Sequence, residues 1–73
     1  MRERLVKELE SRGFELLDTN RWAKPENPKR VVQIGYGGRQ WTISVRDAGA
    51  IVYRSRVPET GKVPADFLNL LDV

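Results

Sequence analysis

The chain has 73 residues, which is enough for one small domain and too short for a second. It contains neither cysteine nor histidine, which excludes disulfides, thiolate sites, and the commonest metal ligand and general base. The net charge is +3, and the excess lies in the middle, where residues 20–56 hold eight basic and two acidic side chains. Such a basic central segment favours an acidic partner.

The N-terminal stretch predicts a short amphipathic helix over residues 2–12. Leu5, Val6 and Leu9 fall on one side and charged residues on the others, and Gly13 follows as a helix stop. The same stretch lacks the apolar core of a signal peptide, and no apolar run approaches the roughly 18 residues of a membrane span. We therefore expect a cytoplasmic protein that has no membrane partner.

A first strand is predicted at residues 14–18, followed by a long loop, "NRWAKPENPK", at residues 20–29. The loop contains two prolines, two asparagines and a single large apolar residue, Trp22. Long loops in small domains are often functional or mobile. Trp22 has two interpretations: it folds back onto the core, or it projects beside the basic residues of the loop to stack on a base or anchor a protein.

The segment "VVQIGYGGRQWTISV" (residues 31–45) predicts a β-hairpin. A two-residue turn at Gly37–Gly38 pairs Ile34 with Trp41 and places apolar residues opposite one another, and paired glycines suit a type I′ turn. The glycines do not fit a phosphate-binding loop, because the third glycine of the dinucleotide fingerprint and the Lys-Ser/Thr of a P-loop are absent. Trp41 is expected in the core.

A second hairpin is predicted around a three-residue loop at residues 47–49, which pairs Val45 with Ile51 and Ile43 with Tyr53. The three strands lie at about 30–36, 39–46 and 50–57, and Pro64 opens a last helix over 64–73. The prediction is a two-layer α+β domain over residues 1–73. Its order is α-β-β-β-β-α, with both helices against one face of an antiparallel meander of three to four strands.

The face of the sheet turned away from the helices is predicted to carry arginines without a carboxylate. The simplest interpretation is a solvated face, as antiparallel sheets commonly have. The functional interpretation is a binding face, because guanidinium groups bind phosphates and carboxylates in a bidentate manner. Together with the loop, the candidate binding residues are Arg21, Trp22, Lys24, Lys29, Arg30, Gln40, Thr42, Arg46, Arg54 and Arg56.

Catalysis is not predicted. Without histidine, each serine lacks the usual activating base, and the acidic residues show no recurring spacing that would indicate a two-carboxylate hydrolase or a calcium loop. We expect no enzyme activity, no cofactor and no metal.

The segments "LVKELESRGFELLDT" and "KRVVQIGYGG" resemble the first half of the HicA toxins over about half of the chain. These toxins are small messenger-RNA interferases with a double-stranded-RNA-binding-like α-β-β-β-α fold, and a histidine near the start of their second strand carries catalysis. The corresponding region here, "NRWAKPENPKR", has no histidine. The resemblance therefore implies at most an RNA-binding relative without that catalytic group.

The first functional hypothesis is a small non-enzymatic domain that binds DNA or RNA through the outer sheet face and the basic loop. The second is an accessory or regulatory module, such as a small inhibitor from a phage or other mobile element, that docks the same surface on an acidic protein. A third possibility is a homodimer that covers outward apolar residues, namely Leu17, Val31 and Val52.

Overall fold

The computed structural model describes residues 1–72. The elements are α1 (Arg2–Ser11), β1 (Glu15–Asp18), β2 (Arg21–Lys24), β3 (Asn27–Gly37), β4 (Gln40–Asp47), β5 (Ala50–Pro58) and α2 (Ala65–Leu71). The strands form one open antiparallel sheet in the order β1-β2-β3-β4-β5. The predicted α+β class, with a helix at each end of an antiparallel meander, is confirmed. The part of the predicted last helix at residue 73 lies outside the described residues.

Strand β2 lies where the sequence predicted a loop. Its central residue, Trp22, pairs with Leu16 of β1 and with Val32 of β3, and it is buried against the core. Pro25 lies in the turn that follows β2, and Pro28 lies near the start of β3, before the regular pairing with β2 begins. Pro25 therefore lies outside the β2–β3 pairing, and Pro28 falls in the irregularity between the pairs Lys24–Asn27 and Ala23–Val31. Proline is tolerated at such bulges, which is why the two prolines are compatible with strands here.

The core lies between the helices and one face of the sheet, which we call the inner face. Alternate residues of β3 and β4 point to this face and are almost completely buried, and leucines of α1 and α2 pack against them. Alternation with period two in the strands and amphipathic spacing in the helices produce this arrangement. The central core residues are Leu5, Leu9, Val32, Ile34, Ile43, Val45, Val57, Phe67 and Leu71.

The β3–β4 turn is centred on Gly38 and Arg39, one residue later than predicted. Gly37 pairs with Gln40, so Ile34 pairs with Ile43 and not with Trp41. Both turn residues have positive φ, 59° for Gly38 and 64° for Arg39, as a type I′ turn requires. The predicted pairs are wrong, but each strand residue keeps its predicted face, because moving a two-residue turn by one position shifts the pairing by two.

The β4–β5 connection also differs from the prediction. Asp47 pairs with Ala50, which leaves a two-residue turn, and a bulge then separates the pair Arg46–Ile51 from the pair Val45–Tyr53. The bulge turns Ile51 away from the core, and its side chain is 48% exposed. The prediction that Ile51 faces inward is wrong. From Tyr53 onward the alternation returns to the predicted pattern, because the bulge adds one unpaired residue to β5.

Glu59 joins the start of α1 to the connection between β5 and α2. Its carboxylate accepts a hydrogen bond from the Met1 amine at 3.0 Å and another from the Trp41 indole N–H. Arg4 donates to the carbonyl oxygens of Glu59 and Gly61 at 2.7 and 2.8 Å. The hydrogen bond from the amine, followed by that from Trp41, lowers the pKa of Glu59.

Within residues 1–72, neither helix has the length and apolar character to cross a membrane.

Candidate nucleic-acid interface

The outer face of the sheet is the face opposite the core. Its arginines without an ion pair in residues 1–72 come from β4 and β5, whereas Arg21 of β2, opposite Gln33, is paired with Asp18. Arg54 pairs with Ser44 and Arg56 pairs with Thr42 across the two strands, while Arg46 pairs with Ile51. The β4–β5 register predicted from the sequence implies Gln40 opposite Arg56 and Thr42 opposite Arg54, and both pairs are wrong, because the observed partner on β4 lies two residues further along. The three arginines nevertheless lie on one face, because strand alternation holds on either side of the bulge.

Two adjoining concavities lie on this face and share Thr42. The first has a volume of about 280 Å³ and the second about 380 Å³. Arginine, hydroxyl and amide side chains form their sides, and glycines of β3 lie in both. The first is lined by Gln33, Gly35, Thr42, Ser44, Arg46, Ile51 and Arg54, and the second by Gly37, Gly38, Gln40, Thr42 and Arg56.

No carboxylate neutralises the outer-face arginines within the described part of the chain. The ion pairs found there involve other cations, and neither Arg54 nor Arg56 takes part in one. Arg46 makes a long hydrogen bond of 3.4 Å to the carbonyl oxygen of Gly49. Three guanidinium groups therefore keep most of their N–H donors available to an anion.

Three of the predicted binding cations are instead used within the fold. Arg21 pairs with Asp18, with a distance of 2.8 Å from Nε to the carboxylate, and this hydrogen bond lowers the pKa of Asp18. Lys24 donates to the carbonyl oxygen of Leu71 at 3.2 Å. Arg30 is 17% exposed and binds Asp47 at 3.1 Å. It also donates to the carbonyl oxygen of Leu70 at 3.2 Å.

Trp22 is a core residue. Its side chain is 2% exposed, and the guanidinium of Arg2 lies 5.5 Å from its ring centre. The interpretation in which Trp22 folds back onto the core is the arrangement observed, and a tryptophan so deeply buried has no surface to offer a base. Lys29 remains exposed near the start of β3, and its carbonyl oxygen accepts a hydrogen bond from Ala48 N–H.

Among residues 1–72, no aromatic side chain lies on the outer face. Phe14, Trp22 and Phe67 are buried, and Trp41 and Tyr53 pack against the inner-face core. Tyr36 is 60% exposed, but it is directed to the side of Trp41, with their ring centres 4.8 Å apart. A ligand of the two concavities therefore meets guanidinium, hydroxyl and amide groups and the side chain of Ile51, but no stacking platform.

Sequence reasoning did not assign Gly35, Arg39 or Ile51 to the candidate site. Gly35 and Ile51 line the first concavity, and Arg39 lies in the turn at one end of the face. The strand pattern contained the signal for Gly35, since it alternates with the outward residues Gln33 and Gly37. The position of Ile51 depends on a bulge, for which the sequence carries no local signature.

The apolar residues that suggested a homodimer are separated in the fold. Leu17 is on β1 and Val52 is on β5, which are the two edges of the sheet, and Val31 is half-buried on the central strand. They do not form one continuous patch. The homodimer stays a prediction.

No protein-family model, curated protein or solved structure matched the chain. The resemblance to the HicA toxins gains no support from these comparisons, and the described sheet has five strands where the resemblance implies three. Within residues 1–72, no three acidic side chains come together where they could hold a metal ion. The outer face is therefore the feature of the molecule from which a function can be inferred.

Proposed function

We propose that the protein binds nucleic acid through the phosphate backbone, using the outer face of the sheet. The observation that carries this proposal is the set of three arginines, Arg46, Arg54 and Arg56, that share one face without an ion-pair partner in the described residues. Guanidinium groups suit phosphate because their planar donors bind two oxygens at once.

The spacing of the arginines supports an extended polyanion. Arg54 and Arg56 are two residues apart on β5, which corresponds to about 6.6–6.8 Å along a strand. Successive phosphates along one strand of a nucleic acid lie a similar distance apart. A backbone that runs along β5 can therefore place neighbouring phosphates on neighbouring arginines.

The neutral side chains beside the arginines add contacts without adding charge. Gln40, Thr42 and Ser44 lie on the same face of β4 and can donate hydrogen bonds to phosphate or sugar oxygens. No aromatic side chain is present there for base stacking, and stacking accounts for much of the affinity of proteins that bind unpaired strands. We therefore expect mainly electrostatic binding with weak sequence preference, and duplex bound at least as well as a single strand.

Binding of 20-nucleotide fluorescent DNA and RNA, single-stranded and duplex, at several salt concentrations tests the proposal. Changing Arg54 and Arg56 to glutamine should weaken binding at least tenfold at low salt and reduce the salt slope for duplex by about 1.8, since each phosphate contact contributes about 0.9. The matched control changes Lys7 and Lys62, two exposed lysines outside the outer face, to glutamine. It removes the same net charge and should leave most of the affinity and the slope intact.

Equal losses in the two double variants would show that binding follows net charge alone and would contradict a defined face. Absence of binding to all four probes at low salt would reject the proposal outright. Comparing the absorbance ratio of a preparation before and after nuclease treatment adds an independent readout, because co-purifying nucleic acid raises the ratio at 260 nm.

One observation favours an acidic protein as the partner. Ile51 is a large apolar residue in the same concavity as Arg46 and Arg54, and phosphate contacts give no reason for an exposed isoleucine there. Arginine beside an apolar anchor is common at protein interfaces. A protein that is retained after nuclease treatment, and that is lost both on Ile51→Thr and on the Arg54/Arg56 change, would favour this candidate over nucleic acid.

A further inference from the structure

Gly35 occupies the middle of β3, where the fold gives no reason for glycine. It pairs with Thr42, its φ lies outside the left-handed region, and a Cβ built on it meets no atom within 4 Å. Neither the backbone conformation nor the space around a Cβ therefore requires glycine at this position. Glycine within a strand weakens the strand and often marks a place where a ligand or another backbone approaches closely.

Most other glycines of the chain have internal reasons to be glycine, and the exception is Gly37, which has open space like Gly35 but lies at the end of β3 beside the turn. Gly38 and Gly49 adopt positive φ in the two hairpin turns. Gly61 is crowded, because a Cβ there would lie 2.9 Å from Cγ1 of Val57. Neither turn geometry nor internal packing therefore explains the glycine at position 35. The remaining explanation is the space above it.

That space is the 280 Å³ concavity of the outer face. Gly35 and its cross-strand partner Thr42 line it from the middle of the sheet, and we call the backbone surface at Gly35 its floor. Arg46 of β4 and Arg54 of β5 also line it. Gln33 and Ser44 complete the polar lining, and Ile51 is the one large apolar side chain. Two guanidinium groups with neutral hydrogen-bonding side chains around an unfilled floor form a receptor for an oxyanion, because each group donates hydrogen bonds and two are positively charged.

We propose that this concavity seats a single phosphodiester group of the bound nucleic-acid backbone. The absence of a side chain at Gly35 lets the phosphate descend between Arg46 and Arg54 and lie against β3 and β4. The inference rests on the proposed function, and it adds the place on the outer face where the phosphate comes closest to the sheet. A β-branched side chain at position 35 fills the floor and holds the phosphate away from both arginines.

The test is Gly35→Val, measured by fluorescence anisotropy with the 20-nucleotide probes and by thermal unfolding. Valine is favoured in strands and has open space here, so the melting temperature should stay unchanged or rise. Affinity should nevertheless fall at least tenfold although every arginine is retained. The matched control is Ala50→Val, which places the same valine side chain at an exposed position at the start of β5 and should bind like the unchanged protein.

The outcomes separate this inference from the proposed function. If the Arg54/Arg56 variant loses affinity while Gly35→Val folds and binds normally, the phosphate seat is wrong and the face remains the binding surface. If the unchanged protein binds none of the probes, both fail. If Gly35→Val lowers the melting temperature, the premise of open space is wrong. Gly35→Ala adds only one methyl group, so a loss of affinity smaller than that of valine is expected, and an equal or absent loss contradicts the steric argument.

Discussion

Arg30, on the helix-facing side of the sheet, is mostly buried and donates to Asp47 and to the end of α2, whereas Arg54, on the outer face, lies exposed beside Ser44. Both belong to the basic central segment of the chain. The first guanidinium ties a strand to a helix C-terminus, where cations are favoured by the helix dipole. The second makes no ion pair within residues 1–72 and is available to an anion.

The net charge of a sequence segment therefore does not give the net charge of the surface that the segment forms. Of the cations in the central segment, Arg21 and Arg30 are paired with carboxylates and Lys24 is bound to a helix carbonyl. Those left over include Arg46, Arg54 and Arg56, which point away from the helices. The basic excess of the sequence is therefore divided between stabilising the fold and furnishing the outer face.

The largest expected effect comes from removing an inner-face residue. Trp22→Ala should lower the free energy of unfolding by about 3–5 kcal/mol, because it removes a large buried side chain and leaves a cavity. That is a large fraction of the total stability of a domain of this size, about 4–11 kcal/mol. Urea unfolding followed by fluorescence measures the change.

Tyr36→Ala is the control for Trp22→Ala, because Tyr36 is an exposed aromatic residue and should cost much less. A Trp22→Ala variant that keeps its stability but loses nucleic-acid binding would reverse the assignment of Trp22 to the core.

The second prediction compares the same substitution, arginine to glutamine, at Arg30 and at Arg54. Arg30→Gln should cost about 1–2 kcal/mol, because two charge-assisted hydrogen bonds are lost while the half-exposed Asp47 regains water. Arg54→Gln should change stability by less than about 0.5 kcal/mol, as surface substitutions do. Nucleic-acid affinity should follow the opposite order. Equal stability losses in the two variants would remove the distinction between the two faces.

The face of the sheet on which a strand residue lies could be predicted from the sequence, because alternation along the strand alone determines it. The faces of Val32, Ile43 and Arg54 were predicted correctly although the pairing at both turns was wrong. A turn moved by one position shifts the pairing by two and preserves the faces. Ile51 is the exception, since a bulge changes the alternation by one.

Partners that are distant in the sequence could not be predicted. Arg30 and Lys24 bind carbonyl oxygens 40 and 47 residues away, and no local pattern indicates that α2 ends beside them. The same limit applies to Trp22, whose burial depends on a strand in a segment rich in turn residues. The fold class could therefore be predicted better than the residues of the candidate site. Three of the predicted cations bind groups within the fold, and Gly35 was not predicted to belong to the site.

The third prediction concerns Arg39, which adopts a left-handed conformation in the β3–β4 turn with φ of 64°. Left-handed backbone costs a residue with a Cβ roughly 1–2 kcal/mol relative to glycine, so Arg39→Gly should stabilise the protein by up to about 1 kcal/mol. The same change removes an exposed cation at the end of the outer face. We expect a higher melting temperature together with a smaller salt slope for duplex binding.

Arg39→Asn is the control that separates the two effects in that turn, because asparagine tolerates the left-handed region but also removes the charge. It should reproduce the loss of slope with less stabilisation. A salt slope unchanged in both variants would place Arg39 outside the contact surface.

The smallest expected effect is a pH dependence that originates at Glu59, an exposed residue in the connection between β5 and α2. Its pKa is lowered in the folded state by the hydrogen bond from the Met1 amine and then by that from Trp41. A lowered pKa means that the stabilising contribution is complete above the ordinary glutamate pKa of about 4.3 and is lost as the pH falls through the lower folded value.

Glu59→Gln should therefore reduce stability at neutral pH and make the acid limb of the stability curve less steep, which urea unfolding between pH 7 and about pH 3 measures. Asp18 carries a lowered pKa as well, because Arg21 donates to it, so the variant should retain a weaker acid dependence. An unchanged acid limb would mean that Glu59 does not hold the β5–α2 connection against α1.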